Sequence, residues 1–175
     1  MEFVAYPKTP RLKRGVVVTE KLDGTNAQVV IDHHVDNEFV ARNYDNVVAS
    51  REEYGGVRLL RVGSRTRWIT PGKTTDNYGF AAWCEENQDE LFKLGPGQHF
   101  GEWYGAGIQR GYGLTGKRFA LFNVDRWADD EVRPKCCDLV PLLYRGDLAG
   151  IDKVVETLRA EGSQAVLGFM QPEGV

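Results

Sequence analysis

The first regular pattern in the chain is a pair of β-rich runs on either side of a polar turn. Residues 16–18 are all valine, and residues 27–31 contain three further β-branched side chains. Runs of this kind favour strands, and a glycine at position 24 is typical of a turn between them. The pattern therefore predicts a turn that places Lys21 at the end of the first strand.

Later apolar runs predict further strands. They are residues 57–62, 98–104, 118–124 and 139–144, and residues 164–175 are expected to form a loop that leads into a strand. A glycine-rich connection joins the second and third of these runs, and glycine there permits tight turns or a close approach of two backbones. Residues 65–72 are predicted to be a loop, and the pair His33-His34 is predicted to lie in a turn.

Two segments have the apolar spacing of a helix that buries one face. The first is predicted over residues 76–94, with Asp76 as its N-cap. The second begins near Ile151 and is closed by Gly162. Without an internal repeat or a linker, this mixture predicts one α+β domain over residues 1–175, with largely antiparallel sheets and flanking helices.

Composition places the chain among globular proteins, since its 175 residues are 42% hydrophobic and 27% charged. No apolar run reaches the roughly 20 residues that span a bilayer, and the N-terminus lacks the features of a signal peptide. We therefore expect a cytoplasmic protein with no membrane partner. Cys84, Cys136 and Cys137 are too few and too unevenly spaced for a disulfide framework, so reduced thiols are predicted, and no zinc-finger spacing occurs.

The formal net charge of -3 gives no overall signature of nucleic-acid binding. Residues 55–75 nevertheless carry arginines and a lysine without any acidic residue. Such a stretch is as typical of a solvated surface as of a nucleic-acid track.

Lys21 lies in the run Glu20-Lys21-Leu22-Asp23-Gly24-Thr25-Asn26. A lysine attacks phosphorus only as the neutral amine, and its reference pKa of about 10.4 must be lowered by burial, a cation or a metal. An unopposed carboxylate nearby would raise that pKa instead. Alone, the short Lys-Leu-Asp-Gly pattern is also satisfied by a surface β-turn.

Five segments in order resemble the motifs of the ATP-dependent RNA ligase family, within the larger superfamily of DNA ligases and mRNA capping enzymes. They are Glu20-Lys21-Leu22-Asp23-Gly24-Thr25-Asn26, Gly63-Ser64-Arg65-Thr66, Phe100-Gly101-Glu102-Trp103-Tyr104-Gly105, Phe119-Ala120-Leu121-Phe122-Asn123-Val124 and Glu173-Gly174-Val175. The five segments are spread over nearly the whole chain, from Glu20 to Val175. Residues 6–8 and 140–146 are also similar to family segments.

The resemblance implies a role for each matching residue. The catalytic residues would be Lys21, to which AMP becomes covalently attached, and Asp23, Gly24 and Glu173. The residues that bind ATP would be Glu20, Lys21, Asn26, Arg65, Glu102 and Phe122. Mg²⁺ or Mn²⁺ would be held by Glu173, Asp23 and Glu102. Three of these residues have a structural alternative, namely packing for Phe122, a solvent-facing position for Glu102 and turn capping for Asn26.

The same resemblance implies an α+β nucleotidyltransferase fold with an ATP pocket between its sheets. Lys21 would take AMP from ATP, AMP would pass to the 5′-phosphate of an RNA end, and a 3′-hydroxyl would seal the strand, in a single strand or a nicked duplex. In the family a further strand carries two lysines that contact the α-phosphate, whereas this sequence ends at Val175. The chain is therefore expected to lack that strand, as a piece of a longer ligase or as a short protein with reduced or lost activity.

Other functions fit the same motifs. A DNA ligase and a GTP-dependent capping enzyme share the lysine chemistry, although Glu20, Thr25 and Asn26 favour the RNA ligases. A catalytically silent module of the same fold that binds nucleotide or nucleic acid is the alternative from another class.

Overall fold

The computed structural model describes residues 15–35 and 44–175, which form a mixed α+β fold. The strands are β1 Val16–Thr19, β2 Thr25–His34, β3 Val47–Glu53, β4 Gly56–Ser64, β5 Trp68–Ile69, β6 Gly97–Gly105, β7 Lys117–Leu121, β8 Cys137–Leu139 and β9 Leu142–Gly146. The helices are α1 Phe80–Glu86, α2 Gln88–Leu91 and α3 Ile151–Glu161, with 3-10 turns at Phe92–Leu94, Gly111–Gly113 and Leu148–Gly150. The family-like segment at residues 6–8 lies outside the described residues.

A seven-stranded sheet has the order β3-β4-β2-β6-β7-β8, with β5 beside β4. Its pairings are antiparallel except for the parallel pair β7–β8, which confirms the prediction of largely antiparallel sheets. Alternate residues of β2 point to opposite faces. Ala27, Val29 and Ile31 are buried in the main core with Phe80 of α1, whereas Asn26, Gln28 and Asp32 on the other face are partly exposed. The polar face of β2 therefore stays available for a site.

A second sheet consists of β1 and β9 in antiparallel arrangement. The helix α3 lies against β9, and Gly162 ends that helix as predicted, with its amide donating to the Leu158 carbonyl at 2.9 Å. The turn predicted after the first strand runs from Glu20 to Gly24 and leads from β1 into β2. This turn therefore connects two different sheets, and Lys21 lies just beyond the end of β1.

The helix predicted over residues 76–94 is shorter and broken. It starts at Phe80 and is interrupted at Asn87, whose φ of -106° and ψ of 17° are not helical. The Asp76 carboxylate still caps the helix, because it accepts hydrogen bonds from the amides of Ala81 at 2.8 Å and Ala82 at 3.1 Å. The N-cap residue is however Gly79, so the prediction that Asp76 is the N-cap is wrong in position, although its side chain satisfies two free amides of the first turn.

Three other local predictions are wrong. Residues 65–72, predicted to be a loop, contain the short strand β5, which pairs with β4. His33 and His34 do not lie in a turn, because the β2–β4 ladder extends through them to Arg58 and Val57. The strand predicted over residues 139–144 is two strands, because Pro141 has no amide to donate to a ladder and the chain crosses there from the large sheet to the small one. The three cysteines are free thiols, as predicted.

Candidate active site

A cavity of about 670 Å³ lies where the small sheet meets the large one. Its volume is within the usual range for a small-molecule site. Most of the predicted site residues line it, namely Glu20, Lys21, Gly24, Asn26, Arg65, Glu102 and Phe122. Asp23 and Glu173 do not line this cavity but lie beside it. The structure thus brings together side chains that are far apart in the sequence.

Lys21 is held at the cavity by its backbone as well as by its side chain. Its amide donates to the Gly174 carbonyl at 2.9 Å, in an isolated antiparallel bridge. Its Nζ pairs with one carboxylate oxygen of Glu173, in an ion pair whose lysine side chain is 58% exposed. The amine is therefore reachable from solvent while its charge is balanced.

Glu20, directly before the lysine, is buried, with 1% of its surface exposed. Its Oε2 accepts hydrogen bonds from the backbone amides of Gln164 at 2.7 Å and Ala165 at 3.0 Å. Its Oε1 is also buried but has no hydrogen-bond partner in the described part of the chain. A buried acceptor without a donor is costly, and Glu20 lines the cavity, so a ligand N–H or O–H group that reaches Oε1 would satisfy it.

Gly24 is needed for the approach of two backbones. A Cβ at this position would lie 2.4 Å from the Trp103 carbonyl oxygen and 2.9 Å from the Tyr104 Cβ. A side chain would therefore push the Lys21 turn away from β6. The closeness also lets the Gly24 amide donate to the Glu102 carboxylate.

Burial is the main cause that raises the pKa of Glu102 to about 7. The Gly24 hydrogen bond and the positive charge of Lys21 act in the opposite direction, while Glu173 and Asp23 add negative charge that raises the pKa further. Four ionisable groups of the predicted site thus influence one another electrostatically. Positive charge brought by a ligand would favour the ionised form of Glu102.

The other predicted ligand residues come from the ends of strands. Asn26 and Glu102 are cross-strand neighbours on β2 and β6, and Arg65 directly follows β4. Phe122 directly follows β7 and keeps 39% of its surface exposed, as an unshielded ring at the cavity. A phenylalanine in the core would be covered, so this exposure argues against the alternative that Phe122 serves only for packing.

The carboxylates near Lys21 suit a hard cation in their chemistry, since Mg²⁺ prefers oxygen ligands. Glu173 supports this fit, because its Oε2 is buried without a hydrogen-bond partner among the described residues. Over residues 15–35 and 44–175, however, no group of three or more candidate ligands is already arranged as a metal site. The metal role of Glu173, Asp23 and Glu102 stays a prediction.

The family model for RNA ligase matches residues 14–175, which is nearly the whole chain. The chain belongs to the RNA ligase family. Comparisons with curated proteins and with solved structures gave no match. Membership supports a ligase-type function with RNA as the substrate.

Two further residues lie at the candidate site that the sequence pattern does not predict. Arg110 and Tyr112, in the glycine-rich connection between β6 and β7, both contact Asp23. Their only signal in the sequence is the density of glycine around them.

Within the described ranges, no helix combines the length and apolar character needed to cross a membrane.

Proposed function

We propose that this chain is the adenylyltransferase domain of an ATP-dependent RNA ligase with a nucleotidyltransferase fold. The observation that carries the proposal is the single cavity at which Lys21, Glu102 and Phe122 meet. These residues come from three separate family-like segments. Their shared cavity joins an amine nucleophile, a carboxylate and an exposed aromatic ring, as the reaction requires.

In the first step the ammonium of Lys21, which is paired with Glu173, gives one proton to water, and the resulting neutral amine donates its electron pair to the α-phosphorus of ATP. A P–N bond forms, the bond from the α-phosphorus to the bridging oxygen breaks, and pyrophosphate leaves with that electron pair. The proton displaced from Nζ passes to Glu173, the carboxylate in contact with it, and then to water. Alignment of the attacking nitrogen with the leaving group is the main contribution of the protein.

Two later steps complete the proposed reaction. An RNA 5′-phosphate oxygen attacks the phosphorus of lysyl-AMP. The P–N bond breaks, the Lys21 nitrogen leaves with that electron pair and takes up a proton from water, and AMP joins the RNA end by a pyrophosphate linkage. A 3′-hydroxyl then attacks the RNA phosphorus and gives its proton to water, so that a phosphodiester forms and AMP leaves with the electron pair of the broken P–O bond. Glu173, Asp23 and Glu102 would hold Mg²⁺ or Mn²⁺, which would offset the phosphate charge.

The adenine base has a fitting place in the cavity. The exposed ring of Phe122 offers a stacking surface, and Val175 lines the same cavity with an apolar side chain. The unpaired Oε1 of Glu20 is an acceptor, which suits the amino group of adenine. Guanine carries a carbonyl oxygen at the equivalent ring position, so two acceptors would face each other. This complementarity favours ATP over GTP as the substrate.

The test is to incubate the protein with ATP labelled at the α-phosphate and a divalent cation, and to measure covalent label and intact mass. A mass increase of one AMP group, absent in Lys21→Ala, is expected. Lys93→Ala is the matched control, because Lys93 is also an exposed lysine in an ion pair, with Glu90. No label from ATP, or label that persists in Lys21→Ala, would contradict the proposal. Binding of ATP without label would instead support the silent module.

A further inference from the structure

The connection from Gly105 to Gly116, between β6 and β7, has a tightly specified backbone. Two of its non-glycine residues have positive φ, with 42° at Gln109 and 53° at Tyr112. Such conformations are unfavourable for non-glycine residues and persist where the surrounding contacts over-determine them. Glycines at 105, 107, 111 and 113 also have positive φ.

Tyr112 secures the backbone of the Lys21 turn. Its hydroxyl accepts a hydrogen bond from the Asp23 amide at 2.7 Å. Its ring is buried and packs against Tyr104 at 5.5 Å and Phe169 at 4.7 Å between ring centroids. The hydroxyl therefore has little freedom to move, and the amide two residues after the nucleophile is fixed by it.

Arg110 contacts two segments at once. Its Nε donates to Asp23 Oδ2 at 2.8 Å, and its Nη1 donates to the Gln171 carbonyl at 3.0 Å. Asp23 follows Lys21 by two residues, and Gln171 precedes Glu173 by two residues. The planar guanidinium holds its donors in a fixed geometry. Arg110 therefore ties the segment that carries the nucleophile to the segment that carries its carboxylate partner.

We propose that Arg110 and Tyr112 are positioning residues that hold Lys21 and Glu173 in their relative places for attack on the nucleotide. This inference rests on the proposed function. Arg110 does not line the cavity, so it acts through Asp23 and Gln171 and not by touching ATP. A misplacement of about 1 Å in a reacting group can lower a rate by about 10²-fold.

Positioning and nucleotide binding predict different kinetics. If Arg110 only aligns Lys21, its loss lowers the rate of lysyl-AMP formation and leaves the affinity for ATP nearly unchanged. If Arg110 bound a phosphate, its loss would raise the dissociation constant of ATP. Arg110→Lys keeps the charge but replaces a rigid fork by a single flexible ammonium, so it should restore only part of the rate.

The chain offers a matched control for Arg110. Arg145 is also paired with one aspartate, Asp125, and its side chain is 46% exposed against 39% for Arg110. Arg145 does not line the cavity. Arg145→Ala thus removes a comparable surface arginine and should leave the rate unchanged. Tyr112→Phe keeps the buried ring and removes only the hydroxyl that Asp23 contacts.

The experiment measures single-turnover formation of lysyl-AMP over a range of ATP concentrations, with thermal unfolding of every variant. Arg110→Ala is expected to be about 10–100-fold slower at saturating ATP, with the half-saturating ATP concentration within about twofold. Tyr112→Phe should slow the same step in the same way, and Arg110→Lys should be intermediate.

Three results would overturn the inference. Arg110→Ala could react as fast as Arg145→Ala, or its defect could disappear at saturating ATP, or the wild-type chain could form no lysyl-AMP. The first two results leave the proposed function standing, because the wild type still reacts. The third removes both the proposed function and this inference.

Discussion

The side chains of Lys21 and Glu173, 152 positions apart in the sequence, form an ion pair beside the cavity that Lys21 lines. The pair balances the positive charge of the Lys21 amine. In the proposed reaction this amine must be neutral before it attacks, and Glu173 lies beside the atom that loses the proton. The proposal therefore requires that the ion pair is broken before attack.

Lys21→Arg should abolish covalent AMP while the fold is retained. Arginine keeps the positive charge beside Glu173 but does not lose its proton at working pH, so it cannot act as the nucleophile. The pair is exposed, and the free energy of unfolding should change by less than about 1 kcal/mol. Intact-mass measurement after incubation with ATP tests the first point and urea unfolding the second. An AMP adduct on the variant would contradict the assignment of Lys21.

Glu173→Gln should slow lysyl-AMP formation without preventing folding. The amide can still hydrogen-bond to Lys21 but cannot take its proton or offset the charge of a cation. A loss of about 10²-fold or more is expected, the scale for removing one group that stabilises charge in a transition state. A variant that reacts at the wild-type rate would exclude Glu173 from the mechanism. Glu161→Gln, on the exposed face of α3, is the control.

Glu20→Gln should shift the choice between ATP and GTP. The side-chain carbonyl can still accept from the amides of Gln164 and Ala165, while the NH₂ group replaces the acceptor that has no partner. ATP binding should weaken by about tenfold, the value of one lost hydrogen bond, and labelling by GTP should increase. Parallel labelling with the two nucleotides gives the ratio. An unchanged ratio would mean that Glu20 does not read the base.

Gly24→Ala should destabilise the protein and Gly116→Ala should not. The first Cβ would strike the Trp103 carbonyl, whereas the second would meet nothing within 4 Å, and Gly116 does not have a positive φ. The expected loss for Gly24→Ala is about 1–3 kcal/mol, and Gly116→Ala should be neutral or gain up to about 1 kcal/mol. Chemical unfolding of the two variants side by side decides the point. Equal stabilities would show that the close approach is not required.

The stability of the protein should fall as the pH is lowered through the titration range of His99. Burial of the ring is the main cause that lowers its pKa, and Arg126 adds to the shift against a hydrogen bond with the Gly95 carbonyl. The unfolded chain therefore takes up the proton first, and stability is lost as the pH falls from the unfolded pKa of about 6.5 towards the lower folded value. His99→Gln should reduce this loss between pH 7.5 and 5.5. His33→Gln, at an exposed position, should leave it unchanged.

Local sequence patterns predicted the elements that depend on local contacts. The strand around Val29 and the helix that ends at Gly162 are predicted by the types and spacing of residues that are close together in the sequence. The ladder that extends β2 through His34 depends on β4, and the break at Asn87 has no proline or glycine signal of its own. Such features need partners that no short window contains.

The site was predictable where the family motifs mark it and unpredictable elsewhere. The motif pattern pointed to Lys21 and Glu102, and both line one cavity. It did not point to Arg110, whose contacts with Asp23 and Gln171 span 87 and 61 positions of sequence. Glu20 was expected at the nucleotide, but the two amides that hold one of its oxygens come from the other end of the chain. Contacts between residues so far apart in the sequence depend on how the strands are arranged in space, which the local spacing of residue types does not reveal.

The link from β1 to β2 through the Lys21 turn has a mechanical consequence. Because Thr19 of the small sheet and Asn26 and Glu102 of the large sheet line the cavity, a molecule that fills it contacts both sheets. Such a molecule would hold the two sheets together. Amide hydrogen exchange in β9 and in β2 should then slow together when the cavity is filled, and the two sheets should melt as one cooperative unit.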